Sequence, residues 1–147
     1  MAAIRRAEVT WEGDLASGGG KASASTSHAF NQLAVSWPAR TEQPDGKTSP
    51  EELLAAAHAS CFAMALSAGL GRAGTPPQKL DVNASVTFDK VGDAYRVVSS
   101  VLEVRGRVRG LDSQGFQRAA EAAKDGCPIS QALKGNVDMS VRATLEG

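Results

Sequence analysis

Two cysteines, Cys61 and Cys127, and two histidines, His28 and His58, carry the most reactive side chains in the sequence. The cysteines are 66 residues apart, which excludes both a CxxC redox pair and a local zinc knuckle. Cys61 lies in an apolar stretch, where the simplest reading of a free cysteine is a small buried hydrophobe. Cys127 stands between Gly126 and Pro128. Proline suits the first position of a helix, so Cys127 falls at an N-cap. Caps are normally Ser, Thr, Asp or Asn. A cysteine there meets backbone N–H groups and the positive end of the helix dipole, both of which favour a thiolate. His58 precedes Cys61 by three residues, close enough to share a helix face. A zinc site could start from that pair, but it would have to recruit Cys127 and His28 from distant places. A Cys-His hydrolase with His58 as base is the other option, and nothing nearby in sequence orients the imidazole.

The elements that must position these residues can be read from patterning. Residues 2–12 and 21–36 mix polar and apolar residues as strands do, with Gly18, Gly19 and Gly20 as the turn between them. Residues 38–49 read as a loop, with Pro38, Pro44 and Asp45-Gly46. Ser49, Pro50 and Glu52 form a helix start: cap, first-turn proline, and the acid three residues on that completes a capping box. From Leu53 to Gly71 there is no carboxylate, lysine or arginine, so this helix is apolar nearly all round and is expected to be buried. Residues 80–88 alternate as a strand, Asp89–Asp93 turn, and 95–108 return. Asp112 caps a second helix ending at Gly126, a short helix follows from Pro128, and a last strand spans 136–145. Strands, buried helix, strands, helices and strand make an α+β domain.

Length and composition bound the rest. With 147 residues the natural reading is one domain, 1–147, which buries enough surface to fold without disulfide or metal. Sixteen basic and sixteen acidic residues balance, which argues against nucleic acid or an anionic membrane as partner. No uninterrupted apolar run of about 18 residues occurs, as a membrane span would need. The N-terminus has no apolar core of a signal peptide, so a cytoplasmic location is expected, where a disulfide is more often catalytic than structural. No nucleotide fingerprint, phosphate loop or RNA-binding signature stands out. Twenty-five alanines and fifteen glycines leave the core short of bulky side chains, which suggests a homo-oligomer that completes it between chains.

The segments SPEELLAAAHASCFAMALS (49–67) and AAKDGCPISQALKGNVDMSV (122–141) closely resemble the OsmC/Ohr family of osmotically inducible and organic-hydroperoxide-resistance peroxidases. VTWEGDL (9–15) and Gly20-Lys21 resemble the OsmC branch. The resemblance implies an α+β OsmC-like fold, with antiparallel sheets around a buried central helix, in an intertwined homodimer. It implies a thiol peroxidase for organic hydroperoxides, weaker on hydrogen peroxide, without haem, metal or flavin cofactor. Cys61 matches the family's peroxidatic cysteine, Cys127 its resolving cysteine and Glu51 its acidic residue at the helix start. Arg40 falls where the OsmC branch carries its active-site arginine; the Ohr branch carries it earlier, and no arginine lies between Arg6 and Arg40 here. A dihydrolipoyl group is the implied dithiol reductant.

Chemistry and geometry constrain that assignment. An unperturbed thiol of pKa about 8.5 is only a few per cent thiolate at neutral pH, and apolar surroundings lower that fraction. Cys61 therefore needs a cation, and Arg40 stays charged when desolvated if a carboxylate such as Glu51 holds its fork. Ten residues of helix separate Glu51 from Cys61 by about 15 Å, on faces roughly 80° apart. If both serve one site, Glu51 is expected from a second, antiparallel copy of the helix. The rival from another class is a binding module with an apolar cavity and incidental cysteines, since fold resemblance alone does not prove activity.

Overall fold

Ser49 does cap a long helix, but the capping box closes differently from expectation. The Glu52 amide donates to Ser49 Oγ at 3.1 Å, whereas the Glu52 carboxylate accepts from Thr48 Oγ1 at 2.6 Å. In this computed structural model, which describes residues 1–146, the chain order is β1 (Ala7–Glu12), β2 (Gly19–Ala24), β3 (Leu33–Val35), α1 (Trp37–Thr41), α2 (Pro50–Arg72), β4 (Lys79–Val91), β5 (Ala94–Arg107), α3 (Ser113–Gly126), α4 (Pro128–Leu133) and β6 (Asp138–Leu145). The chain divides into two compact units, Met1–Leu53 and Leu54–Gly147.

The first unit is an antiparallel sheet in the order β1-β2-β3, followed by α1. The expected glycine turn lies earlier in the chain than expected. Asp14 accepts from the Ser17 amide at 2.7 Å and its hydroxyl at 2.6 Å, and the Gly18 amide donates to the Asp14 carbonyl at 2.9 Å. That closure leaves Gly19 and Gly20 inside β2, paired with Glu12 and Trp11. Gly18 is required, since a Cβ there would collide with the Asp14 and Glu12 carbonyls. The expected strand over 21–36 is interrupted because His28 and Gln32 adopt positive φ, both 57°. Ser23 Oγ stabilises the detour by accepting from the Gln32 amide at 2.9 Å. The expected loop after residue 37 opens with helix α1, because Ser36 accepts the Ala39 amide at 3.1 Å and Pro38 sits in its first turn.

The second unit packs α2 and α3 with a three-stranded sheet in the order β4-β5-β6. β4 and β5 form a hairpin turning at Gly92, whose φ of 63° suits glycine. β6 pairs parallel to β5, from Ser99↔Asp138 to Gly106↔Leu145. The sheet is thus mixed, a correction to the expectation of antiparallel sheets: α3 and α4 form a crossover long enough to return the chain in the same direction. Phe62, Leu66 and Leu70 of α2 meet Leu102 and Val104 of β5 and Phe116, Ala120 and Ala123 of α3 in the core. The Phe116 ring lies over Gly106, where any Cβ would strike it.

In a single chain α2 is not buried all round. His58, Phe62, Leu66 and Leu70, every fourth residue, form its buried stripe, whereas Met64 is 72% exposed. By length and hydropathy alone α2 would also pass as a membrane span, yet this stripe lies in the protein core.

Phe116→Ala should lower unfolding stability by about 3–5 kcal/mol, because it removes a fully buried ring over a glycine that cannot fill the void. Urea denaturation at unchanged slope checks this; a loss below about 1 kcal/mol would contradict the packing described.

Candidate active site

The residues singled out from the sequence gather into two constellations, one in each unit. In the first, α1 carries Arg40 and the opening turn of α2 carries Glu51. Arg40 Nε donates to Glu51 Oε1 at 2.9 Å and Nη2 to Oε2 at 2.7 Å, a bidentate fork. The Glu51 side chain is 9% exposed and that of Arg40 28%. A carboxylate in the first turn also meets the positive end of the helix dipole. The guanidinium lies 5.9 Å from the centre of the Trp37 ring, within cation–π range. Beside it is a cavity of about 360 Å³ walled by Val9, Trp11, Leu15, Val35, Trp37 and Leu53, with Arg40 as its charged member.

In the second unit, α2 carries Cys61 and α4 begins at Cys127. The structure brings these cysteines, distant in sequence, into hydrogen-bonding contact, both as free thiols. Cys127 is the N-cap of α4, as its place before Pro128 predicts, and its Sγ accepts from the Ser130 amide at 3.5 Å. Cys127 is fully buried and Cys61 is partly exposed. Burial pushes the Cys61 thiol up, and its hydrogen bond to Cys127 pushes it further, against a smaller opposing effect of the Ile129 amide. Burial acts against the Cys127 anion too, but hydrogen bonds from Cys61, Ser130 and Ile129 outweigh it and lower the Cys127 pKa. Within one chain the two shifts thus run in opposite directions, up at Cys61 and down at Cys127 beside the N-terminus of α4.

His58 is fully buried, with Nδ1 2.7 Å from Ser100 Oγ and Nε2 2.8 Å from Ser130 Oγ. Burial lowers its pKa and keeps the ring neutral. Both ring nitrogens are occupied by hydroxyls, and no carboxylate orients them as a Cys-His hydrolase would need. His28 lies in the first unit, on the detour after β2. Among the described residues no group of three or more His, Cys, Asp or Glu is gathered for a metal ion. Sequence reasoning left Ser100 and Ser130 out. The available signal was a lone imidazole in a helix stretch, 53–71, otherwise free of ionic side chains, together with a serine three residues past the Cys127 cap.

Residues 43–142 match the model of the family described as OsmC-like protein, and the chain belongs to that family. Among its relatives is peroxiredoxin OsmC of Escherichia coli, 39% identical over 95% of this chain and 96% of that protein. Organic hydroperoxide resistance protein OhrA of Bacillus subtilis is 28% identical, with 84% and 88% of the two chains covered. The crystal structure of OhrB from Bacillus subtilis superposes with a TM-score of 0.73 at 26% identity, covering 96% of this chain and 98% of that one. An OsmC-like protein of Mycoplasma pneumoniae shares the fold at 16% identity, with a TM-score of 0.75 and complete coverage of both chains.

Because His58 titrates below its ordinary 6.5, the unfolded chain binds a proton at acid pH that the folded chain refuses. His58 should therefore cost stability as pH falls through 6.5, by up to about 1.4 kcal/mol per pH unit. Denaturant titrations between pH 5 and 7, roughly the range where an ordinary histidine titrates, should give a steeper acid limb for the parent than for His58→Gln; equal slopes would refute a neutral buried ring.

Proposed function

We propose that the protein is a thiol peroxidase that reduces organic hydroperoxides, and hydrogen peroxide more weakly, with Cys61 as peroxidatic and Cys127 as resolving cysteine. The observation that carries this reading is the contact between two free cysteines drawn from α2 and the cap of α4. A binding module has no need of that pair. The names borne by the relatives, peroxiredoxin OsmC and organic hydroperoxide resistance protein, point the same way. The Cys61 thiolate attacks the distal peroxide oxygen; the O–O bond breaks, the alkoxide leaves as alcohol after taking a proton, and Cys61 becomes a sulfenic acid. The Cys127 thiolate then attacks that sulfur; an S–S bond forms, the S–O bond breaks, and hydroxide leaves as water. A dithiol, on the family resemblance a dihydrolipoyl group, returns the disulfide to two thiols. This cycle requires no other cofactor, and a reducing cytoplasm suits it.

Burial works against a Cys61 thiolate, so the reaction needs a cation beside it. Arg40 is committed to Glu51 of its own chain, and Glu51 stands about 15 Å along α2 from Cys61. The arrangement that answers both facts is a homodimer of one-domain chains in which two α2 helices run antiparallel. Each chain then lends its Arg40–Glu51 pair to the Cys61 of its partner, and the exposed faces of α2 become interior. Arg40 would lower the Cys61 pKa and draw the peroxide. The apolar cavity beside it would take the alkyl group, which favours organic substrates over hydrogen peroxide.

One equivalent of cumene hydroperoxide should remove two titratable thiols per chain, roughly one peroxide per disulfide. Cys61→Ser should lose all turnover, and Cys127→Ser should consume about one equivalent and then stall as sulfenic or higher acid. No thiol loss in the parent would favour an apolar-ligand binder.

Arg40→Ala should move the pH profile of Cys61 alkylation upward, a two-unit rise meaning about 2.7 kcal/mol of lost thiolate stabilisation. Co-refolding Cys61→Ser chains with Arg40→Ala chains should restore about a quarter of the sites, since half of the dimers are mixed and each holds one intact site. No recovery would place Arg40 and Cys61 in the same chain's site.

A further inference from the structure

The peroxidase chemistry makes no use of His58, the fully buried polar side chain on the core stripe of α2. An imidazole removed from water without partners loses its hydration with nothing in return. The ring recovers this only through two serines on two other elements, Ser100 of β5 and Ser130 of α4, both buried themselves. A neutral imidazole donates from one nitrogen and accepts at the other, and a hydroxyl can do either. The bridge is therefore complete in both tautomers, and burial keeps the ring neutral.

What the bridge holds is α4. This helix has six residues, too few to be stable alone, and Ser130 is its one buried residue. Its anchorage includes the hydroxyl that meets His58 Nε2, beside the Gln131 side chain, which donates to the Asp125 carbonyl. The same residue's amide donates to Cys127 Sγ. From His58 to Ser130 to the resolving sulfur, each contact fixes the next, and His58 sits one helical turn before Cys61 on α2. The imidazole therefore ties the segment bearing one cysteine to the helix bearing the other.

We propose that His58, bridged between Ser100 and Ser130, is a positioning residue for Cys127 that determines whether oxidised Cys61 is captured as a disulfide or over-oxidised. This rests on the reading of Cys127 as resolving cysteine. Disulfide formation demands Cα atoms within about 4.4–6.8 Å and well-aimed Cβ vectors, so a small displacement of α4 disfavours it. Meanwhile the Cys61 sulfenate can attack the distal oxygen of a second hydroperoxide. That oxygen passes to sulfur, the O–O bond breaks, and the alkoxide leaves as alcohol after taking a proton, giving a sulfinic acid that Cys127 cannot resolve. His58 acts on the first path and not on the second.

The test treats reduced parent, Cys127→Ser, Ser130→Ala, His58→Gln and His58→Asn with graded cumene hydroperoxide. Mass spectrometry then measures disulfide against Cys61 sulfinic acid, and stopped flow measures the first oxidation of Cys61. A glutamine amide reaches the place of Nε2 and can still meet Ser130; an asparagine amide reaches only the place of Nδ1. Ser130→Ala and His58→Asn should raise the sulfinic-to-disulfide ratio about tenfold or more, as misplacement of a reacting group does. His58→Gln should stay near the parent, and the first oxidation should stay within about twofold in all three, since their changes lie on the path to Cys127. A parental ratio in both Ser130→Ala and His58→Asn would overturn the proposal, as would equal damage in His58→Gln and His58→Asn, the mark of a merely structural role. If Cys127→Ser itself gives the parental ratio, Cys127 is not the resolving residue and the proposal falls with that reading. If only the His58 and Ser130 variants behave as the parent, that reading stands and the positioning role alone is lost.

Discussion

Everything in this molecule turns on supplying charge to a helix whose long middle carries none. From Leu53 to Gly71, α2 has no carboxylate and no lysine or arginine, yet it bears a thiol whose proposed chemistry requires an anion. Burial works against that anion at Cys61. The fold answers at two places outside the middle of α2. At its first turn a buried carboxylate grips a guanidinium in a bidentate fork, so an arginine is held charged and aimed. Opposite Cys61, the amides at the start of α4 hold a sulfur whose pKa is lowered. Charged and polar groups at helix ends thus serve a helix whose middle has no ionic side chain.

The same constraint explains why one chain looks incomplete. A helix buried on one stripe and bare elsewhere is unfavourable for a monomer in water, and the alanine-rich exposed side of α2 has too little bulk to be wrapped locally. Small side chains permit close approach of a second helix, and this is where stability and the proposed catalysis make the same demand. In the proposed dimer, the pairing that covers apolar surface would also bring a foreign Arg40 to each Cys61.

How much of this was legible in the sequence depends on the range over which each residue acts. Local signals read well. Ser49 and Pro50 started α2, Asp112 capped α3 through the Gly115 amide at 2.7 Å, and Cys127 before Pro128 proved to be a cap. The alternation of residues 80–88 marked β4. Signals that depend on a hydrogen bond competing with the strand pattern read poorly. The Asp14 turn drew Gly19 and Gly20 into β2, positive φ at His28 and Gln32 split one strand into two, and Ser36 made a helix where prolines suggested only a loop. The parallel pairing of β5 and β6 was not legible, because alternation fixes which face is buried and not the direction of the chain. In the candidate site, Cys61 and Cys127 were singled out by residue type, capping position and family likeness and Arg40 and Glu51 by family likeness, whereas the partners of His58 lie 42 and 72 residues away and leave no periodic trace.

The placement of Cys61 on α2 and Cys127 at the head of α4 also bears on the energetics of the spent protein. A bond between the two sulfurs would close a loop of about 66 residues, and chain-entropy arguments give such a cross-link about 4 kcal/mol of extra resistance to unfolding. The oxidised form would therefore be the sturdier one. Folding that holds two thiols together favours their union by the same amount, so the couple becomes more reducing by about 90 mV relative to the unfolded chain. In the proposed cycle, a reductant that regenerated the thiols would have to work against the fold as well as against the disulfide.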